Sequence, residues 1–292
     1  MNLLIGAHMP VGQGLAKAVE AGRSIGCTVI QVFTKSPQQW RSRRISDEEA
    51  EAFRQANSQQ MLAPPIAHDS YLINLASTDG EILTKSREAF VEEIRRCELL
   101  GIEVLVTHMG SFRDSTEEDG LKRLVDSLNF VFDQTPNSRV LVALETTAGQ
   151  GNSLGSRFEH FPWIFQHVSQ SHRLRVCFDT CHVFAAGYDL RTETSYSSTI
   201  SQFAQIVGLD RLCIFHLNDS KRELGSRVDR HEHIGHGQLG ELPFKLILTD
   251  QRFAHLPKIV ETPQAEQMHA YNVAVLKSLV GLCERPPRTH LG

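Results

Sequence analysis

The chain has 292 residues, a net charge of −4 and a pI near 6.4. This balance argues against a broad basic surface, so a polyanionic partner would have to be met by local basic patches or by metal ions. No segment approaches the ~20 continuous apolar residues of a membrane span, so no membrane partner is expected. The six cysteines form no CxxC pair, which predicts reduced thiols and a cytoplasmic location.

Short apolar runs alternate with longer segments of helical periodicity along the chain. Arg87–Leu100 is the clearest predicted helix, with Gly101 as its stop, and Ser46–Glu49 has the sequence of a capping box. Parallel strands need helical crossovers, so eight strand–helix units predict an α/β fold, the (β/α)8 or TIM barrel. We expect one such domain over residues 1–292, with its catalytic face at the carboxyl ends of the strands. The predicted strands are Leu3–Ala7, Thr28–Phe33, Pro65–Ala67, Glu103–Thr107, Val140–Leu144, Leu174–Phe178, Leu212–Phe215 and Pro257–Val260.

Histidines and carboxylates mark the ends of six successive predicted strands. In this fold the carboxyl ends of the strands converge on one face, where active sites form. Burying so many ionisable groups without partners would be costly, so the pattern indicates bound cations. After the sixth strand we expect a loop that carries two of these residues. The residues, in chain order, are His68, His108, Glu145, Asp179, His182, His216 and Glu261.

The charged loop after strand seven adds Asp229 and His231, which an extended backbone places on the same side. His233 and His236 are not included, because no second group pairs with them. The nine candidate ligands match about three metal ions at the usual three protein ligands per catalytic zinc. Imidazole with carboxylate suits zinc, and manganese or iron less well. Cys177 has the same parity as Asp179 and is expected one layer deeper, in the core.

Three long motifs in this chain resemble those of the endonuclease IV family of apurinic/apyrimidinic endonucleases. They are His68–Ala76, Cys177–His182, and Phe215–Lys221 together with Asp229-Arg-His231. The similarity extends from Ile5 to beyond Glu261, and all nine family ligand positions hold the expected residue type. Two positions depart from some family members, which have arginine in place of Gln38 and proline in place of Met109.

The resemblance implies a trinuclear zinc site, with Mn²⁺ as an alternative at one position. It implies hydrolysis of the phosphodiester bond 5′ to an abasic site in double-stranded DNA, which leaves a 3′-hydroxyl and a 5′-deoxyribose phosphate, and also removal of blocked 3′ ends. Glu261 and Glu145 are the implied catalytic residues, with Glu261 next to the attacking water. A monomer is expected. By carry-over, one zinc is held by His68, His108 and Glu145, a second by Asp179, His216, Glu261 and the bridging Glu145, and the third by His182, Asp229 and His231.

DNA contacts are expected from loops on the same face. The segment from Lys35 to Arg44 has four cations and no acid, and near a phosphodiesterase site it is a plausible contact for the DNA backbone. Tyr71 and Leu72 resemble the family pair that enters the duplex at the damaged nucleotide. The candidate DNA-binding residues are Tyr71, Leu72, Gln38, Trp40, Lys35, Arg41 and Arg230.

Two other functions stay open from the sequence. A metal-dependent sugar isomerase or epimerase on a similar barrel would also place histidines and carboxylates at strand ends, but it would need only one or two metal ions. A non-enzymatic protein that binds damaged DNA would have no need for so many costly buried ligands. Metal stoichiometry separates the first alternative from the endonuclease.

Overall fold

A computed structural model describes residues 3–41 and 43–287. Eight parallel strands form a closed barrel in which neighbours along the chain are neighbours in space and β8 closes onto β1. The α/β barrel that the sequence predicts is thus confirmed. The strands are β1 (Ile5–Met9), β2 (Val29–Phe33), β3 (Ile66–His68), β4 (Val104–His108), β5 (Leu141–Glu145), β6 (Leu174–Asp179), β7 (Leu212–His216) and β8 (Lys258–Val260).

Helices on the outside of the barrel connect the strands. The second helix begins with the predicted capping box, in which the Ser46 side chain accepts from Glu49 N and the Glu49 carboxylate accepts from Ser46 N. The third helix is longer than predicted and ends at Gly101, whose φ of 71° favours glycine. The helices are α1 (Leu15–Ser24), α2 (Asp47–Gln59), α3 (Gly80–Leu100), α4 (Glu117–Asp133), α5 (His160–His167), α6 (Thr180–Ala186), α7 (Glu193–Ile206), α8 (Leu242–Thr249) and α9 (Ala265–Ser278).

Two of the sequence expectations about local structure are wrong. The first strand begins two residues later than predicted and extends to Met9, so His8 lies within it. The segment after β6 is a helix and not a loop. Asp179 is the last residue of that strand and also caps α6, because its carboxylate accepts a hydrogen bond from His182 N at 2.8 Å.

An apolar plug fills the barrel beneath its catalytic face. Side chains alternate between the two faces of a strand, so residues two apart point the same way. Ile66 therefore lies one layer below His68, and Cys177 lies one layer below Asp179, as the parity of the sequence predicts. The members of the plug are Val29, Ile66, Val106, Ala143, Cys177, Ile214 and Ile259, all buried.

The long connection after β7 is folded back by a short antiparallel ladder. Asp219–Ser220 pairs with His231–Glu232, with Ser220 opposite His231. The buried Asp219 carboxylate accepts four backbone N–H groups, from Ser220, Gly235, Gly237 and Leu239, at 2.7 to 3.0 Å. This connection thus has a fixed conformation where it returns to the barrel mouth.

Among the residues that the structure describes, no helix combines the length and the apolar character of a membrane span.

Candidate metal centre

The nine predicted ligands converge at the carboxyl ends of the strands. Within each of three groups, the candidate ligand atoms all lie within 4.8 Å of one another, as a metal ion requires. Glu145 belongs to two of these three groups. Two further sets are equally close but include a thiol, namely Glu145, Cys177 and His216, and Asp179, Cys181 and His231. The three groups are His68, His108 and Glu145; Glu145, Asp179, His216 and Glu261; and His182, Asp229 and His231. This partition is the one that the family resemblance implies.

Glu145 lies at the centre of the cluster. Its carboxylate is fully buried at the end of β5. Oε2 lies 3.1 Å from Nε2 of both His68 and His108, and Oε1 lies 3.1 Å from Nδ1 of both His182 and His216. One carboxylate thus faces four imidazoles, two on each oxygen, and could bridge two metal ions.

The third group lies at the edge of the cluster. His182 Nε2 is 3.2 Å from Asp229 Oδ1 and 3.4 Å from His231 Nε2. Two ring nitrogens so close to each other and to a carboxylate are arranged as donors around a cation. Asp229 and His231 come from the folded-back connection, so the ladder through Ser220 and the Asp219 hydrogen bonds position this group.

Three of the histidines have one ring nitrogen on a backbone carbonyl and the other directed into the cluster. Metal-binding histidines commonly donate the second N–H to such an acceptor, which fixes the tautomer and the ring orientation. The acceptors are Asp69 O for His68 Nδ1 at 3.0 Å, Thr146 O for His182 Nδ1 at 2.8 Å and Glu261 O for His231 Nδ1 at 3.1 Å. The donor set therefore fits a metal centre.

The electrostatics of the cluster also call for cations. Burial would lower the pKa values of His68 and His216, but the carboxylates around them, and Cys177 beside His216, raise both pKa values well above the ordinary value. Burial would likewise raise the pKa values of Glu145 and Glu261, but the neighbouring histidines hold both well below the ordinary value. Such a cluster of carboxylates is stable only with bound protons or metal ions beside it.

Sequence reasoning missed two residues at this site, the half-buried His8 and the buried Gln31. His8 Nδ1 on β1 lies 3.0 Å from Glu261 Oε1, and Gln31 on β2 donates from Nε2 to the same oxygen at 2.6 Å. The two residues are opposite each other in the register of β1 and β2. The rule that found the other ligands, a histidine at the end of a strand, would have found His8 if β1 had been placed two residues later.

A cavity of about 740 Å³ opens beside the cluster, and a groove of about 300 Å³ lies on its other side. Tyr71 lines both depressions, and this residue is 66% exposed, with its ring packed edge-on against Phe33 at a centroid distance of 5.3 Å. The aromatic ring thus stands at the rim between two depressions that both reach His68 and His108.

The other predicted DNA-binding residues differ in their exposure to solvent. Gln38, Arg41 and Arg230 are exposed, and Arg230 lines the smaller groove, while Leu72 and Trp40 are half-buried. Lys35 differs from the expectation. Its side chain is 1% exposed, with Nζ 3.6 Å from the buried Glu93 Oε1, so its ammonium group is not placed to contact a DNA backbone.

One arginine of the basic segment from Lys35 to Arg44 has an acidic partner outside that segment. Arg43 pairs with Glu49 on α2, donating from Nη1 to Oε2 at 2.6 Å. Arg41 and Arg44 remain exposed. The cationic surface of this segment is therefore smaller than its four cations predict.

The fold and the site together define a TIM barrel whose clustered histidine and carboxylate side chains are compatible with a metal-binding site. Residues 19–279 match the family model described as a xylose isomerase-like TIM barrel, so the chain belongs to that family.

Within it, the chain is 46% identical to the probable endonuclease 4 of Chloroflexus aggregans over 277 residues, 94% of this chain and 97% of the relative. It is also 46% identical to the probable endonuclease 4 of Trichlorobacter lovleyi over 281 residues, 96% of this chain and 100% of the relative. The chain is accordingly a member of the endonuclease IV family, and the resemblance of its motifs is confirmed.

Solved structures agree with this assignment. Endonuclease IV from Thermus thermophilus superposes with a TM-score of 0.84 at 35% identity, covering 94% of this chain and 98% of that one. A D-psicose 3-epimerase superposes with a TM-score of 0.64 at 15% identity, covering 88% of this chain and 84% of that one, which shows a shared fold alone.

Proposed function

We propose that this protein is a DNA-repair endonuclease that hydrolyses the phosphodiester bond 5′ to abasic sites in double-stranded DNA. The products are a 3′-hydroxyl and a 5′-deoxyribose phosphate, and the same site removes blocked 3′ ends. The observation that carries the proposal is the convergence of nine ligands in three groups, two of which share Glu145. Membership of the endonuclease IV family supports the choice of DNA as the substrate.

The proposed cofactor is zinc, three ions per chain, with manganese as an alternative at one position. The three groups of the candidate metal centre would hold them, and Glu145 would be shared by two. Metal ions at such a site activate water, neutralise phosphate charge and stabilise the attacking and leaving oxygens. The proposed groups leave out Cys177 and Cys181, although both thiols lie close enough to be ligands, because burial raises the pKa of both thiols and a hydrolytic zinc centre with an open position prefers histidine and carboxylate.

Glu145 and Glu261 are the proposed catalytic residues. Glu145 holds two groups of the centre together, so it fixes the distance between them. Glu261 follows β8, and its two oxygens have different surroundings. Oε2 lies 3.1 Å from His216 Nδ1 within the cluster, whereas Oε1 lies beside His8 and Gln31. We assign to Glu261 the orientation and deprotonation of the attacking water.

Tyr71 is the proposed wedge that enters the duplex at the abasic nucleotide, with Leu72 beside it. Extruding an abasic sugar costs less than extruding a base, because there is less stacking to lose. Arg41, Trp40 and Arg230 are proposed contacts of the DNA backbone, and Gln38 is proposed to face the gap in the base stack, where some family members have arginine. We further propose that the chain is one domain over residues 1–292 and acts as a monomer in the cytoplasm on chromosomal DNA.

An incision assay tests the proposal. A duplex with one abasic-site analogue, labelled at the 5′ end of the damaged strand, should be cut once on the 5′ side of the lesion, and a polymerase should extend the product. The same duplex with an ordinary nucleotide is the control and should stay intact. Removal of metal should abolish the cut and zinc should restore it. Equal cutting of both duplexes, or of neither, would contradict the proposal.

A sugar epimerase shares this fold, so sugar epimerases are the alternative class with which the endonuclease proposal is compared. The group of His182, Asp229 and His231 is an additional cation site that a one- or two-metal isomerase does not need. A protein with one metal ion per chain that interconverts free sugars and leaves abasic DNA intact would belong to that class.

A further inference from the structure

The first two strands contribute none of the nine ligands, yet they bring two polar residues into the same layer. Gln31 is 0% exposed and lies in the middle of β2, directly above Val29 of the apolar plug. Both ends of its amide group are engaged. Nε2 lies 2.6 Å from Glu261 Oε1 and 3.0 Å from His8 Nδ1, and Oε1 lies 2.9 Å from His216 Nε2.

The chemistry of these contacts allows one orientation of the Gln31 amide. A carboxylate such as Glu261 only accepts hydrogen bonds, so the end of the amide that faces it must be the NH₂ group. The carbonyl end then faces His216 Nε2, and this nitrogen must carry a hydrogen to donate. The lone pair of a neutral His216 is therefore on Nδ1.

His216 Nδ1 is the atom that faces the cluster. It lies 3.1 Å from Glu145 Oε1 and 3.1 Å from Glu261 Oε2. A lone pair among carboxylate oxygens at this distance is repulsive, unless a cation lies between them. The tautomer that Gln31 imposes is thus the one in which His216 can bind a metal ion.

Gln31 also gives the two carboxylate oxygens of Glu261 different contacts. Oε1 is held by the amide and lies 3.0 Å from His8 Nδ1, so rotation of the carboxylate would break these contacts. Oε2 is then left directed at His216 Nδ1, within the second group of ligands. Two ligands, one at the end of β7 and one just after β8, are in this way fixed by one side chain.

We propose that Gln31 is a positioning residue of the metal centre, which sets the tautomer of His216 and the orientation of Glu261. This inference rests on the proposed metal-dependent function. Three other histidines of the cluster use backbone carbonyls as acceptors, whereas His216 depends on a side chain that mutation can remove. Removing such a partner typically weakens metal affinity about 10- to 100-fold.

The first test is the tautomer of His216 in the zinc-loaded wild-type protein, measured by ¹⁵N–¹H correlation spectra of the histidine rings. We expect the proton on Nε2 and the metal on Nδ1. A proton on Nδ1, or zinc bound through Nε2, would overturn the proposal without any variant.

The second test compares zinc affinity by competition with a chelator. Gln31→Met keeps the length of the side chain and removes both hydrogen bonds, and it should bind the zinc of the group that contains His216 and Glu261 about 10- to 100-fold less tightly. Gln31→Glu keeps an acceptor for His216, so it should retain the Nε2–H tautomer while its charge disturbs Glu261. Val29→Ala, in the plug below, is the control for general destabilisation and should keep wild-type zinc affinity.

The outcomes separate this inference from the proposed function. If wild type binds zinc and cuts abasic DNA, but folded Gln31→Met matches it in zinc affinity and in the His216 tautomer, only the role of Gln31 is wrong. If wild type binds no metal, the proposed function itself fails.

Discussion

Asp219 provides the sharpest test of how the third ligand group is positioned. Its buried carboxylate accepts two backbone N–H groups on each oxygen, from Ser220 and Leu239 on Oδ1 and from Gly235 and Gly237 on Oδ2. Asp219→Asn keeps the shape of the side chain but replaces one oxygen with an NH₂ group. That group cannot accept, so two buried N–H donors lose their partner.

The size of the effect follows from these contacts. Each buried donor left without an acceptor costs about 1–3 kcal/mol, so two donors predict a loss of about 4 kcal/mol in the free energy of unfolding. For a protein of this size the loss corresponds to a fall of roughly 10 °C in melting temperature. The ladder that presents His231 should loosen as well, so we expect weaker zinc binding at the group that contains Asp229.

Thermal melting of the zinc-loaded protein and its zinc content are the measurements. Asp210→Asn makes the same chemical change at an exposed aspartate and is the matched control. It should melt like wild type. If Asp219→Asn melts within about 2 °C of wild type and keeps its full zinc content, the carboxylate does not hold this connection in place.

Three further variants test other parts of the account. Glu261→Gln should lose incision activity about 100-fold or more, the usual range for a general base, and still bind abasic duplex; near-normal turnover would show that the role is wrong. Tyr71→Ala should reduce the ratio of abasic to intact duplex affinity about tenfold at matched salt with metal content unchanged, and an unchanged ratio would rule out the wedge. Gln38→Arg should raise that ratio, because an arginine fills the gap that the abasic nucleotide leaves in the base stack. Burial raises the pKa of Glu93 to about 7, despite the charge of Lys35. Between the ordinary pKa of 4.5 and pH 7 the folded state therefore binds more protons than the unfolded state. The free energy of unfolding that protonated Glu93 contributes is lost as pH rises through that window. Between pH 6 and 8, wild type should therefore lose about 1 kcal/mol of stability relative to Glu93→Gln, measured by unfolding at both pH values, and parallel pH profiles would contradict this.

The ligand set could be predicted because side-chain alternation along each strand and the convergence of the strand ends in the barrel point to the same face. Alternation along a strand places a polar residue above an apolar one, as with His68 above Ile66, and the barrel brings all such strand ends to one face. Only the neighbours in sequence are needed to see this pattern. The same reasoning placed Cys177 in the core, where it is fully buried.

The supporting residues could not be found in this way, because their roles depend on partners far along the chain. Glutamine is not a usual zinc ligand, so Gln31 did not stand out in the sequence. Its role depends on a hydrogen bond to Glu261, which is 230 residues away along the chain. Lys35 resembles an exposed cation until Glu93, on α3, is placed beside it. Local sequence shows what a side chain can do, and only the fold shows what lies next to it.

The central claim is that incision depends on three metal ions held by the nine ligands. Its most direct test is the incision rate of metal-free protein on abasic duplex as zinc is added in measured equivalents. We expect little activity below two equivalents and full activity at about three, the number that the ligand count supports. Full activity at one equivalent, or activity that is independent of metal, would contradict the account.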